Sequence, residues 1–226
     1  MEGAESISIV SNPSPTPKVL ELKVRPVLVP LPEPHRTASG VIVASPLVLT
    51  DAIIAGGVTG HSLIFTYTPA ALKPTAQLID NLAELIEGEP LAPLEIGQTL
   101  AGRLRLLGRQ GLVGMALAAI DMALWDALAR SHGRSLVGLL GGAEKPVRAY
   151  GAVGYDGVSG SAKTAEAWAK RGFSGLKAKI GYPSVGEDVA VIRAMRQAVG
   201  AEMAKPNRRS PRPGWLWISA HQTRPL

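Results

Sequence analysis

Gly172-Phe173-Ser174-Gly175-Leu176-Lys177-Ala178-Lys179-Ile180-Gly181-Tyr182-Pro183 reads as a short strand closed by a Gly-Tyr-Pro turn. Strand side chains alternate between faces. Lys177 and Lys179 therefore point one way, and Leu176, Ala178 and Ile180 form the opposite, apolar side. Two ammonium groups on one face each disfavour the charge on the other, and partial burial disfavours both. A lysine in that setting reaches its neutral form near neutral pH, as a general base must. The competing reading is an edge strand protected from pairing by its lysines.

Outward from this strand, the C-terminal half alternates strand and helix. Strands are expected at Val147–Tyr150 and over 173–180, helices at about Ala162–Arg171 and Val185–Val199. That order defines parallel βα units. The N-terminal half reads differently. Residues 1–18 carry Ser11-Asn12-Pro13-Ser14-Pro15-Thr16-Pro17, the composition of a disordered arm. Val19–Leu31 alternates like a strand, Pro32–Gly40 reads as a loop, and strands follow at about Val41–Ile54 and Val58–Tyr67. The Gly56-Gly57 pair between the last two is a hairpin signal. Thr68-Pro69 opens a helix as cap and first-turn proline. Further helices are expected at Leu94–Leu107, Gly111–Ser131 (ending at His132-Gly133) and Leu136–Leu140. The fold class is thus an α+β domain, an antiparallel meander plus helices, followed by the first one or two βα units of an incomplete (β/α)8 barrel.

The 226 residues include no cysteine. Disulfides, thiolate metal sites and cysteine nucleophiles are excluded, and a reducing, cytoplasmic setting is expected. No leader-like segment or membrane span is expected. The net charge is +6, but residues 201–226 hold five basic residues against one acidic, so +4 of it lies there. The body is nearly neutral, and nucleic acid is not an expected partner despite Trp215 and Trp217 beside arginines.

Asp121-Met122-Ala123-Leu124-Trp125-Asp126-Ala127-Leu128, followed by Leu136-Val137-Gly138-Leu139-Leu140-Gly141-Gly142 and the Lys177-x-Lys179 pair, resembles the mandelate racemase and muconate-lactonizing family of the enolase superfamily. The racemase branch is the most similar, through Pro46–Leu49, Gly60-His61-Ser62, Tyr67-Thr68-Pro69, Glu89–Pro93 and Lys179–Pro183. The resemblance implies a capping domain over 19–142 and a barrel from 143. It implies Mg²⁺-assisted abstraction of the proton next to a carboxylate, with Lys179 as base and Lys177 against the substrate carboxylate. The substrate would be a small 2-hydroxy acid or an acid sugar, and family members are homo-oligomers. His35, Arg36, Ile42, Leu63, Tyr67 and Ala152 match substrate-lid and barrel-mouth positions. His35, Arg36, Leu63 and Ala152 depart from the racemase pattern, which favours a more hydroxylated acid over mandelate and makes acid-sugar dehydration the alternative reaction.

The similarity ends near Ala204. The family takes its metal carboxylates from the third, fourth and fifth barrel strands, and no such acidic residues follow Glu202. No metal ligand is therefore assigned, and the second base is missing. Residues 205–226 read as a non-family basic tail, the chain as truncated or frameshifted after about residue 204 and inactive by itself. A remaining alternative is a non-enzymatic capping module with a basic tail.

Overall fold

The computed structural model describes residues 16–37, 40–200 and 215–220, the side chains of Thr37 and of 215–220 excepted. It divides into two compact units. The first holds residues up to 28 together with 46–144, the second 29–45 together with 145 onward. Of the arm expected over 1–18, residues 1–15 lie outside the described residues, as do 205–214 and 221–226 of the tail expected over 205–226. Pro17 and Lys18 are held in place: the Pro17 carbonyl accepts from the Leu91 amide at 2.7 Å, and Lys18 bridges Pro90.

A three-stranded sheet in the order β1-β2-β3 is formed by β1 (Val19–Thr37), β2 (Gly40–Ile54) and β3 (Thr59–Phe65). The loop expected over 32–40 is instead strand as far as Thr37. Pro32 and Pro34 looked like breakers, but β1 is an edge strand, where a missing N–H costs no ladder bond. β2 and β3 pair antiparallel through the expected hairpin, with Gly56 and Gly57 at φ of 94° and 81°. Alternate residues of β2, from Pro46 to Ile54, are buried, as one covered sheet face requires.

Helix α1 (Pro69–Ala83) starts where Thr68 accepts from the Ala70 amide. After α2 (Pro93–Arg103) comes α3 (Gly111–Ser131), within the bounds read from its periodicity. It ends as expected: Gly133, at φ 59°, donates to Arg130 and Arg134 to Ala129, two carbonyls that the helix end would otherwise leave unpaired. By length and composition α3 could cross a membrane, although no span was expected. In the fold it is a core helix, with Ile120, Leu124 and Ala127 buried. Its alanines at 119, 123 and 127 recur every fourth residue and form one face. Gly60 of β3 lies so close that a Cβ there would sit 2.2 Å from the Ala123 carbonyl oxygen. Ser62 Oγ donates to the Ala119 carbonyl at 2.7 Å, and the His61 amide to Asp126 at 2.8 Å. The Asp126 carboxylate and the His61 amide thus tie β3 to α3. A one-turn helix α4 (Leu136–Leu139), capped by Ser135, closes the unit.

The second unit has a parallel sheet in the order β4-β5-β6: β4 (Gly151–Val153), β5 (Gly175–Ile180) and β6 (Trp215–Ala220). Helices α5 (Gly157–Lys170) and α6 (Val185–Val199) connect and follow β4 and β5. The strand expected at 147–150 falls at 151–153 instead. Val147 is exposed, whereas Gly151 lies under the Trp168 ring, where a Cβ would come within 2.3 Å. Close packing thus selected a small residue that apolar pattern passes over. Helix α5 begins five residues earlier than expected because Gly157, at φ 68°, turns the chain directly into it. Val153, Leu176, Ala178, Ala165, Val191 and Met195 form the core of this unit. Ser184 caps α6: its hydroxyl oxygen accepts from the Glu187 amide at 3.2 Å, and its O–H donates to the Glu187 carboxylate at 3.0 Å.

Candidate proton-transfer site

β5 carries the two lysines as its alternation requires. Leu176 and Ala178 are buried toward the helices, and Lys177 and Lys179 take the other face, half-buried. Ala152 of β4 is the register partner of Lys177, so its methyl shares that face and leaves room beside the lysine. On the other side the backbone of β6 runs alongside, Trp217 level with Lys177 and Ser219 level with Lys179.

His35 reaches this face from the far end of β1. Its Nε2 is in hydrogen-bond contact with Nζ of Lys179. The neighbouring Arg36 carbonyl accepts from the Tyr155 amide at 3.1 Å, which fastens the strand end to the loop after β4. Ile42 lies on β2, half-buried, in the same unit. Leu63 and Tyr67 belong to the first unit, where both are exposed; Tyr67 has φ 62° and packs on Phe65 with ring centroids 4.8 Å apart. The structure therefore brings Lys177, Lys179, Ala152 and His35 together within one unit.

Burial, and then the Lys177 ammonium, hold the pKa of Lys179 below the usual lysine value, with Asp156 working in the opposite direction. His35 is likewise held below the usual imidazole value, first by burial and then by Lys179, again opposed by Asp156. The effect of Lys177 on Lys179 is the one expected from their spacing, but desolvation is the larger cause.

Sequence reasoning missed Asp156, Tyr155, Tyr182 and Asp188. The rings of Tyr155 and Tyr182 stack at 3.9 Å. The Tyr155 hydroxyl donates to the Gly181 carbonyl at 3.0 Å, and the Gly157 amide donates to the Tyr182 hydroxyl at 2.8 Å. Asp188 accepts from the amides of Gly181 and Tyr182 at 2.9 and 3.0 Å. Together they tie the loop after β4 to the turn that ends β5, two residues beyond Lys179. The only signal was the aromatic in the Gly-Tyr-Pro turn, which reads as turn chemistry rather than as a stacking partner.

A parallel βα sheet that starts after an antiparallel-sheet-and-helix domain, with paired lysines on the second strand, defines a capping domain joined to the beginning of a barrel. The family described as mandelate racemase / muconate lactonizing enzyme, N-terminal domain, matches residues 19–141, and the chain belongs to it. D-galactarolactone cycloisomerase of Agrobacterium fabrum is 40% identical over 138 residues, 58% of this chain and 36% of that protein. Arabinonate dehydratase of Saccharolobus solfataricus is 30% identical, covering 70% of this chain and 43% of that one. A Bradyrhizobium enolase crystallised with magnesium and mandelic acid superposes with a TM-score of 0.76 at 35% identity, over 90% of this chain and 54% of that chain. The chain thus spans about half the length, or less, of the proteins it matches.

Magnesium takes oxygen ligands in a near-octahedral set. Among the described residues no three of His, Asp or Glu come together in a way that could hold a metal ion. The groups around Lys179 are an ammonium, an imidazole and the single carboxylate of Asp156. That set does not fit a divalent cation.

Proposed function

We propose that this chain carries the base half of a site that removes the proton next to the carboxylate of a hydroxylated acid. Lys179 takes the proton and Lys177 holds the carboxylate. The observation that carries the reading is the pair itself: two half-buried lysines on one strand face, with burial and like charge favouring neutral Lys179. A neutral amine has the lone pair that abstraction needs, and the adjacent ammonium offers the positive charge that a carboxylate pairs with.

A sugar acid or related hydroxy acid suits the face better than mandelate. His35 presents a polar edge beside Lys179 where a phenyl ring would need an apolar wall, and Ala152 leaves space for hydroxyl groups. Two relatives act, by name, on D-galactarolactone and on arabinonate, and the structural relative with mandelic acid bound keeps racemisation of a 2-hydroxy acid as the second outcome of the same abstraction. A cytoplasmic location belongs to the proposal, on the cysteine-free sequence.

The test is α-proton exchange in D2O, followed by proton NMR. The chain as it stands should give no Mg²⁺-dependent exchange with mandelate. Residues 1–200 fused to the remaining barrel of the cycloisomerase relative should exchange the α-proton of D-galactarolactone. Lys179→Ala in that fusion should cut the rate by about 100- to 10,000-fold, the usual contribution of a positioned base. Lys177→Ala should chiefly weaken binding and raise the pKa of Lys179. Exchange at the parent rate after Lys179→Ala would rule out the assigned role.

A further inference from the structure

The contact between Lys179 and His35 joins residues 144 apart in sequence. It does not rest on the imidazole alone. The Arg36 carbonyl is fixed by the Tyr155 amide, and Tyr155 is fixed in turn by its stack on Tyr182. The strand end is thus anchored whatever side chain stands at position 35. Among the described residues, the charged groups that act on the pair are Lys177 from β5 and Asp156 from the loop after β4.

An ammonium has donors only, and an imidazolium also has donors only. Nζ and Nε2 can share a hydrogen bond when at most one of them is cationic: Lys179, charged or neutral, donating to Nε2, or His35 donating to the lone pair of neutral Lys179. With both protonated the contact becomes a repulsion between two cations. With one proton the two nitrogens form a donor–acceptor pair along which it can move. Asp156 is placed to favour positive charge on either partner.

Resting on Lys179 as the base, we propose that His35 is its proton partner, receiving the abstracted proton at Nε2 and releasing one to solvent from Nδ1. The substrate C–H bond breaks, its electron pair stays on carbon, and the proton binds the lone pair of Nζ. An N–H of the resulting ammonium then gives its proton to Nε2 of His35, restoring the neutral amine. The imidazolium loses its Nδ1 proton to water, and the Nε2–H tautomer this leaves returns to Nδ1–H by proton exchange with solvent before the next turnover. The net change is one proton from carbon to solvent, with no other reactant consumed. His35 must rest as the Nδ1–H tautomer for this to work.

The experiment is nitrogen NMR of the full chain with ¹⁵N-labelled histidine, titrated with and without Lys179→Met. His35→Gln identifies the His35 signals among the four histidines, and a Lys179→Gln chain guards against one variant failing to fold. The expected result is an Nδ1–H tautomer for His35 and a titration midpoint that rises when Lys179 loses its charge. A midpoint indifferent to both substitutions, or an Nε2–H resting tautomer, overturns the proposal and leaves Lys179 as a base untouched. A midpoint that responds, in a chain whose barrel fusion shows no Lys179-dependent exchange, sinks the base reading and the relay with it.

Discussion

The two units use the same apolar residues for different ends. In the first, β3 and the helices α1 and α2 close around α3, and Ile79, Leu100, Ile120 and Leu124 are fully buried. In the second, α5 and α6 cover one face of a three-stranded sheet, and the opposite face carries Lys177 and Lys179. A core side chain contributes about 1.5–3 kcal/mol when fully buried, so the larger core gives the first unit more resistance to change. The second unit leaves a sheet face polar, and that face is where half-burial can move a lysine pKa. Stability and chemistry are thus concentrated in different parts of the chain.

The largest structural effect expected from one atom group lies in the first unit. Gly60→Ala would place a Cβ against the backbone of Ala123 and Ala127, at 2.2 to 2.7 Å. Backbone cannot swing aside as a flexible side chain does, so a loss of about 3 kcal/mol or more is expected. Urea denaturation followed by circular dichroism measures it. A midpoint unchanged from the parent would mean that β3 does not dock on α3 as described.

Acid should separate the two units next. Arg25 and His61, at 2.7 and 2.8 Å, hold the Asp51 carboxyl below the ordinary carboxylate value. A lowered folded pKa means the unfolded chain takes up the proton first as pH falls. The contribution of Asp51 is therefore complete above the ordinary carboxylate range and lost only below it. His35 is also lowered, so the same sign applies one range higher: seating of His35 is lost as pH falls below the usual imidazole range. Methyl NMR of Ala123 and Ala165 during an acid titration should show the second unit responding first. Simultaneous loss would remove the distinction.

How much of this was readable beforehand follows the same division. The bounds of α3 and α6 could be read because periodicity, caps and end glycines agree there. The shared face of Lys177 and Lys179 followed from alternation alone. Strand β4 could not be read, because Gly151 and Ala152 carry no apolar signal and earn their place under Trp168 and beside Lys177. The reach of β1 to Thr37 was hidden by prolines that an edge strand tolerates. The meeting of His35 with Lys179 depends on that reach, and no local pattern encodes it. Asp156 was hidden for the same reason: its influence on Lys179 is spatial.

The smallest effect expected is also the sharpest test of how the second unit holds its lysine. Tyr182→Phe keeps the ring that stacks on Tyr155 but removes the oxygen that accepts from the Gly157 amide. One lost hydrogen bond of this kind costs about 0.5–1.5 kcal/mol. The Asp188 bonds to the Gly181 and Tyr182 amides remain, so the turn after β5 should survive. What should loosen is the loop after β4, which carries both Asp156 and the Tyr155 amide that anchors Arg36. Amide exchange by NMR should therefore rise at Gly157 and Tyr155 and stay unchanged at Gly181. His35 should move with them, because its strand end hangs on Tyr155. If exchange rises at Gly181 instead, the tyrosine hydroxyl supports the strand end directly, and the loop is not what positions His35 against Lys179.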